Sequence, residues 1–294
     1  MASIMTNASA LTALQSLNNT NKQLETTQSR ISTGYRVATA SDNAAYWSIA
    51  TTMKSDNKAL SAVQDALGLG AGKVDTAYTA ITDIKDQVDQ IKAKLVTARG
   101  ASQDNQQKIA TEIKAIQDQI KSSVTNASYA GSNLLQNDAL ATSDLKIVAS
   151  YNRTGTTVAI DTIDVKAADT QVLDIAGTGG IAGGLLATTF FDPSVTAVAD
   201  AAIDTALGAV ETALAKLSTG AAYLGAAKSR IDTQKSFLSN LSDSIDKGVG
   251  ALVDADMNKE STRLQALQVQ QQLGIQSLSI ANGNSQSILA LFKQ

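Results

Sequence analysis

The chain has 294 residues and a formal net charge of −3, and it contains no His, no Cys and one Pro. Without imidazoles or thiols it has no structural zinc site of the usual kind, no disulfide framework and no Ser-His or Cys-His nucleophile. Its charge balance lacks the excess of Lys and Arg that a general nucleic-acid binder needs. Residues 1–17 contain no Lys or Arg and no continuous apolar run, so we expect no secretory signal peptide.

The first segment predicts a helix with a weak heptad seam. Asn21 and Gln28 fall at alternate seam positions, which makes the seam half polar. The apolar stripe is formed by Leu14, Leu17, Leu24 and Ile31. A second helix is predicted to begin after an N-cap at Ser41 or Asp42 and to end in the glycine-rich run 68–72.

The clearest heptad pattern lies at 74–98, where apolar residues alternate in steps of three and four. Gly100 ends this run, and a shorter one follows at 109–120, which predicts an antiparallel helical hairpin. A third periodic stretch, 203–252, is long enough to lie alongside the first. The predicted core of this helical rod comprises Ile81, Ile84, Val88, Ile91, Leu95, Leu214, Leu217, Leu224, Ile231 and Leu238.

Residues 143–193 differ in character from the rest of the chain. Runs of β-forming residues at 145–149 and 157–165 flank turn residues, and a glycine-rich stretch precedes the single proline, Pro193. We interpret this segment as a small β-containing insertion that the helical fold does not require.

The last segment, 264–292, contains no charged residue and seven Gln. A membrane span is improbable because unpaired glutamine side chains are costly in lipid. We therefore expect an uncharged amphipathic helix that packs inside an assembly. Its apolar stripe is formed by Leu264, Leu267, Leu278, Ala281, Ile288 and Phe292.

Sites for small ligands are weakly indicated. The Gly177–Ala182 stretch formally matches a dinucleotide-binding motif, but no βαβ unit surrounds it. Asp83, Asp86 and Asp89 are typical of a solvated helix face paired with lysines. We therefore predict no catalytic residue, no metal site and no cofactor.

The two ends of the chain resemble the signatures of one known family. At the N-terminus these are Leu14-Gln-Ser-Leu17, Arg30-Ile-Ser-Thr-Gly34-Tyr-Arg36-Val37 and Ser41-Asp-Asn-Ala-Ala45. At the C-terminus they are Ser229-Arg-Ile231, Asp254-Ala-Asp256-Met257, Gln270-Gln-Gln-Leu273-Gly274 and Ser287-Ile-Leu289-Ala-Leu291-Phe292. Both sets, in this order, resemble bacterial flagellin over roughly residues 1–142 and 194–294.

The resemblance implies a mainly α-helical filament subunit. Segments 1–44 and 255–294 would form an inner coiled coil, 45–142 and 194–254 a helical rod, and 143–193 a variable outer domain. The two terminal stripes would supply the polymerisation interface. A hook–filament junction protein of the same organelle remains an alternative, as does an intracellular coiled-coil adaptor.

The resemblance also implies partners and a location. The chain would assemble with copies of itself and with sister flagellins, and it would meet an export chaperone, the filament cap and hook-associated proteins. Type III export would place it in an extracellular flagellum, with no nucleic-acid or membrane partner. Recognition by Toll-like receptor 5 would be weak, because Ala93 stands near the position of the family's acidic contact.

Overall fold

A computed structural model of the chain describes residues 7–137, 144–155, 157–174, 180–186, 191–192 and 198–291, with the side chains of 137, 174 and 284–291 left out. The long helices are α1 (Ala8–Thr33), α2 (Ala44–Ala98), α3 (Gln103–Asn126), α5 (Asp200–Val253) and α6 (Met257–Leu291). The shorter elements are β1 (Ser128–Tyr129), β2 (Ser132–Asn133), β3 (Gln136–Asn137), β4 (Leu145–Thr154), β5 (Thr157–Val165), α4 (Ala167–Thr170) and β6 (Leu173–Asp174). This arrangement confirms the predicted fold class, a mainly α protein with a small β insertion.

The ends of α1 and the start of α2 follow capping rules. Asn7 caps α1 by accepting a hydrogen bond from the Ala10 amide at 3.0 Å, and Gly34 ends the helix in the left-handed region at φ 76°. The prediction of Ser41 or Asp42 as the cap of α2 is wrong. Asn43 performs this role, since its side chain accepts from the Tyr46 amide at 3.1 Å.

The predicted break at 68–72 is also wrong, because α2 continues for 55 residues through all three glycines. Two of them are sites of close packing. A Cβ on Gly70 would lie 2.5 Å from Ile147 Cγ2, and one on Gly72 would lie 2.8 Å from the Tyr129 ring. The glycines therefore admit Ile147 of the insertion and Tyr129 of β1 to the surface of α2, and the loss of helix propensity, about 1 kcal/mol each, is tolerated.

The predicted hairpin between α2 and α3 forms as expected, with Gly100 at φ 71° in the connection. Gln106, at 2% exposure, closes this end of the rod. Its amide nitrogen donates to the carbonyls of Ala98 and Val198, and its amide oxygen accepts from the Val198 amide at 2.7 Å. The side chain thereby fixes the backbone that enters α5 against the α2–α3 turn.

The insertion is built around the antiparallel hairpin β4–β5, which pairs Leu145 with Val165 and turns at Gly155. Short strands that flank this hairpin in sequence form two further pairs, β1–β2 and the parallel pair β3–β6. The insertion contributes to the core, which the sequence did not indicate. Its buried side chains include Ile147, Ile163, Val165, Val172, Leu173, Leu185 and Leu186.

Within unit 2, the 54-residue helix α5 runs antiparallel to α2, since residues 211 and 228 of α5 lie opposite residues 92 and 75 of α2. Ion pairs connect the two helices, with Lys228 bound to Asp75 and Lys92 bound to Glu211. Each carboxylate raises the pKa of its lysine by accepting its hydrogen bond. Lys92 therefore binds Glu211 of α5 across the rod, and Asp89 of its own helix makes a smaller contribution to the raised pKa of Lys92.

The chain divides into two compact units. Unit 1 comprises residues 1–57 and 243–294, and unit 2 comprises residues 58–242. Unit 1 contains α1, α6 and the adjoining turns of α2 and α5, whereas unit 2 contains the remaining parts of those two helices, α3 and the insertion.

Candidate functional site

Within unit 1, α1 and α6 form an antiparallel pair that is anchored at the base by backbone hydrogen bonds. The linker after α1 meets the linker after α5 in an isolated bridge between Tyr35 and Asp254. The Ala255 amide donates to the Gly34 carbonyl at 2.9 Å. The two chain ends, distant in sequence, are therefore fixed side by side.

The faces in contact define a seam with a strict alternation of three and four residues. On α1 the half-buried or buried positions are Ala10, Ala13, Leu17, Thr20, Leu24, Thr27 and Ile31. On α6 they are Glu260, Leu264, Leu267, Gln271, Gly274, Leu278 and Ala281. The seam is thus a coiled-coil contact of mixed polar and apolar residues.

Most predicted interface residues lie in this seam, with some differences on α1. Leu14 is 46% exposed and Ala13 takes its place. The alternate seam positions are Thr20 and Thr27, so the prediction of Asn21 and Gln28 is wrong. Two threonines are small enough for close approach, and a hydroxyl can bond within its own helix where a longer amide would not fit. The Ile288 side chain and Phe292 lie outside the described residues.

Polar contacts occur along the whole length of the seam. The Asn7 side chain donates to the Ala281 carbonyl at 2.9 Å, and Gln271 donates to Asn21 at 2.8 Å. Near the base, Arg30 pairs at 3.3 Å with Glu260, whose side chain is 9% exposed. Such contacts favour one register of the two helices.

Between these polar contacts, α1 and α6 approach each other closely. A Cβ on Gly274 would lie 3.1 Å from Leu17 Cδ1, so Gly274 forms the hole that receives Leu17. The glycine lets the two helices lie close together at this level of the seam.

The linker between α1 and α2 is held by a small apolar cluster and by two cation–aromatic contacts. Val37 packs with Ala50, Val249 and Val253. The Arg36 guanidinium lies 5.9 Å from the centre of the Tyr46 ring and donates to the Leu252 carbonyl, and Lys54 lies 4.3 Å from the centre of the Tyr35 ring.

Asp42 closes the same linker. Its carboxylate accepts hydrogen bonds from the backbone amides of Thr39, at 2.9 Å, and Ala38, at 3.1 Å. The Thr39 amide is the largest cause of a lowered Asp42 pKa.

From Gln265 to Ile280, the side of α6 opposite the seam is exposed, apolar in part and free of charge. We define the outer face of α6 as six residues that recur at helical spacing and are all exposed: Gln265, Val269, Gln272, Leu273, Gln276 and Ile280. Its aliphatic members are 55–67% exposed. The apolar periodicity of the sequence indicates the seam stripe and does not indicate this face.

In unit 2, all ten residues of the predicted rod core are buried, none more than 8% exposed. Five of them lie on α2 and five on α5. Their burial stabilises the helical rod.

The weaker candidate sites gain little from the structure. The first three residues of the Gly177–Ala182 motif lie outside the described residues. In the part of the chain that is described, no group of three acidic side chains lies close enough together to hold a metal ion. None of the described helices combines the length and apolarity needed to cross a membrane.

Paired terminal helices and a long helical rod are typical of a structural protein. Residues 4–139 match the bacterial flagellin N-terminal helical region, and residues 207–292 match the bacterial flagellin C-terminal helical region. The chain is 65% identical to a flagellin of Brucella melitensis and 48% identical to flagellin C of Rhizobium meliloti, with full coverage of both chains in each case.

A solved structure of a putative flagellar hook-associated protein from Vibrio parahaemolyticus shares the fold, with a TM-score of 0.55 and 16% identity over 72% of this chain and all of that one. The chain belongs to the bacterial flagellin family. It is a structural subunit of the flagellar filament, and the hook–filament junction alternative is not favoured.

Proposed function

We propose that the chain polymerises through unit 1, with the α1–α6 pair as the assembling element. The observation that carries this proposal is the charge-free, exposed face of α6 beside a seam that contains few large apolar side chains. A contact that repeats between copies without closing produces an open helical polymer. Burial of each exposed leucine or isoleucine would contribute roughly 1.5–3 kcal/mol.

The seam residues act in this proposal by holding the pair together. Leu24→Ala and Leu278→Ala would loosen the pair, and Val269→Ala and Leu273→Ala would weaken contacts between copies. Both classes should reduce the mass of filament that sediments, while the rod remains helical by circular dichroism. Normal filaments from the Leu24→Ala, Leu278→Ala double variant would contradict the role of the seam. Leu69→Ala, which removes an exposed leucine of unit 2, is the matched control.

Export and partners complete the proposal. The chain would leave the cell by type III export with the help of an export chaperone. It would then be incorporated beneath a filament cap, beyond the hook-associated proteins. Copies of sister flagellins would share the same interface. The function requires no catalytic residue, metal or cofactor, because the work of the protein is mechanical. Detection of the chain only in cell lysate, and never in sheared filaments, would contradict the proposal.

Weak recognition by Toll-like receptor 5 is a separate part of the proposal. Ala93 lies on α2 between Lys92 and Lys94, and these lysines bind Glu211 and Glu112 of their own chain. No carboxylate at position 93 is available for a receptor cation. Purified monomer should therefore activate the receptor weakly, whereas activation equal to that by a known agonist flagellin would refute this point.

A further inference from the structure

The sulfur chemistry of the chain is confined to methionine, because the sequence has four methionines and no cysteine. Two of the four, Met53 and Met257, lie among the described residues, and both belong to unit 1. Met257 is the first residue of α6 and is 47% exposed. Met53 lies on α2, where it is partly buried. The two thioethers therefore have different surroundings within the same unit.

Met53 takes part in the packing at the base of unit 1. A Cβ on Gly248 would lie 3.2 Å from the Met53 Cε methyl, so the end of this side chain fills a notch that the glycine leaves on α5. The side chain also packs against the apolar cluster that holds the linker between α1 and α2, which consists of Val37, Ala50, Val249 and Val253. Met53 thus connects α2 to α5 within this unit.

The same cluster shields the backbone hydrogen bonds that attach the linker to the end of α5. The amides of Arg36 and Val37 both donate to the Val253 carbonyl, at 2.7 and 3.2 Å. Val37 and Val253 are 7% and 2% exposed, so little water reaches this contact. A loss of packing at Met53 would open the cluster and expose these hydrogen bonds to solvent.

We infer that Met53 is a site of oxidation by hydroperoxides and that its sulfoxide loosens the base of unit 1. The sulfur lone pair attacks one oxygen of hydrogen peroxide, the O–O bond breaks, and the other oxygen leaves as water with both hydrogens. The sulfur loses two electrons and the peroxide gains them. Because reductases convert methionine sulfoxide back to methionine, the change is reversible. Partial burial leaves the sulfur within reach of so small an oxidant.

The sulfoxide is incompatible with the packing because its oxygen is a polar acceptor. The cluster side chains beside Met53 are hydrocarbons, which donate no hydrogen bond. The oxygen must therefore stay unpaired among them or draw the side chain out into water, and either result weakens the contact over Gly248. The half-exposed Met257 can direct its sulfoxide into water without opening the cluster.

The test treats the purified full chain with millimolar hydrogen peroxide and compares wild type, Met53→Leu and the matched control Met257→Leu. Leucine is close to methionine in volume, so Met53→Leu retains the packing and cannot be oxidised. Mass spectrometry measures the oxidised fraction of each methionine. Hydrogen exchange of segments 49–57 and 245–253 measures local opening. Met53→Gln, examined without peroxide, introduces a polar group at the same place.

We expect Met257 to be oxidised first, and oxidation of Met53 to accelerate exchange in both segments by about tenfold, which corresponds to about 1.4 kcal/mol. Met257→Leu should show the same acceleration, Met53→Leu should show none, and Met53→Gln should show it without oxidant. Failure of Met53 to oxidise after complete oxidation of Met257 would overturn the inference, as would unchanged exchange in chains whose Met53 is a sulfoxide. Equal acceleration in treated Met53→Leu would also overturn it. None of these measurements requires filaments, so such a failure leaves the proposed function standing.

Discussion

Gly70 offers a sharp test of how the insertion is attached to α2. A methyl group at this position would meet three atoms of Ile147, at 2.5, 2.8 and 2.9 Å. Ile147 is 3% exposed and branched at Cβ, so its side chain has little freedom to move out of this space. Gly68, two residues earlier in the same helix, has no atom within 4 Å of the corresponding position.

The two alanine variants should consequently differ in sign. Gly68→Ala should raise the free energy of unfolding by up to about 1 kcal/mol, the gain in helix propensity. Gly70→Ala gains the same propensity but overpacks the core, which typically costs about 1–3 kcal/mol. The difference between the two variants should therefore be about 1–3 kcal/mol in favour of Gly68→Ala.

Urea unfolding of the purified monomer, followed by circular dichroism, measures this difference. Ile147→Ala removes the opposing atoms, so the Gly70→Ala, Ile147→Ala double variant should be more stable than the sum of the single changes predicts. Equal stability of Gly68→Ala and Gly70→Ala, or strict additivity in the double variant, would refute the packing of Ile147 against Gly70.

Three further outcomes follow from single contacts. Arg30→Ala should destabilise unit 1 by about 2–3 kcal/mol, because it removes the cation from the buried Glu260. The double variant Arg30→Ala, Glu260→Leu should recover most of this loss of stability, as measured by thermal unfolding. Gln106→Ala should lower the free energy of unfolding by about 1–3 kcal/mol by leaving Val198 backbone groups unpaired, with hydrogen exchange at Val198 as the readout. Because the folded pKa of Asp42 is lowered, its stabilisation is present above the unfolded pKa of about 3.9 and is lost as pH falls through the folded value. Asp42→Asn should remove this pH dependence. A loss of the Asp42-dependent stability on going to alkaline pH would contradict the assignment.

The long helices could be predicted because their heptads are unambiguous. Residues from Val74 to Ala98 are buried at every predicted step. Caps and breaks were less predictable, since Asn43, Ser41 and Asp42 are equally good caps by composition and only the linker geometry selects among them. Glycine in a helix signals either an end or a close approach, and the side chain that decides between them, Ile147, lies far away in sequence.

The candidate site was predicted in part. Periodicity located the seam on α6 correctly but placed the polar positions of α1 one residue away from Thr20 and Thr27. On a half-polar stripe, a shift of one residue changes the number of apolar residues in the stripe very little. The pattern therefore does not distinguish the two placements of the polar positions. The outer face of α6 was missed because alternating Gln and aliphatic residues resemble an ordinary solvated surface until burial shows which side is already occupied.

Electron cryomicroscopy of filaments formed by the purified chain tests the central claim most directly. The account predicts a continuous helical polymer in which α1 and α6 remain paired within each copy and the outer face of α6 is buried against neighbouring copies. A closed oligomer, or a filament in which Val269, Leu273 and Ile280 remain in solvent, would contradict it.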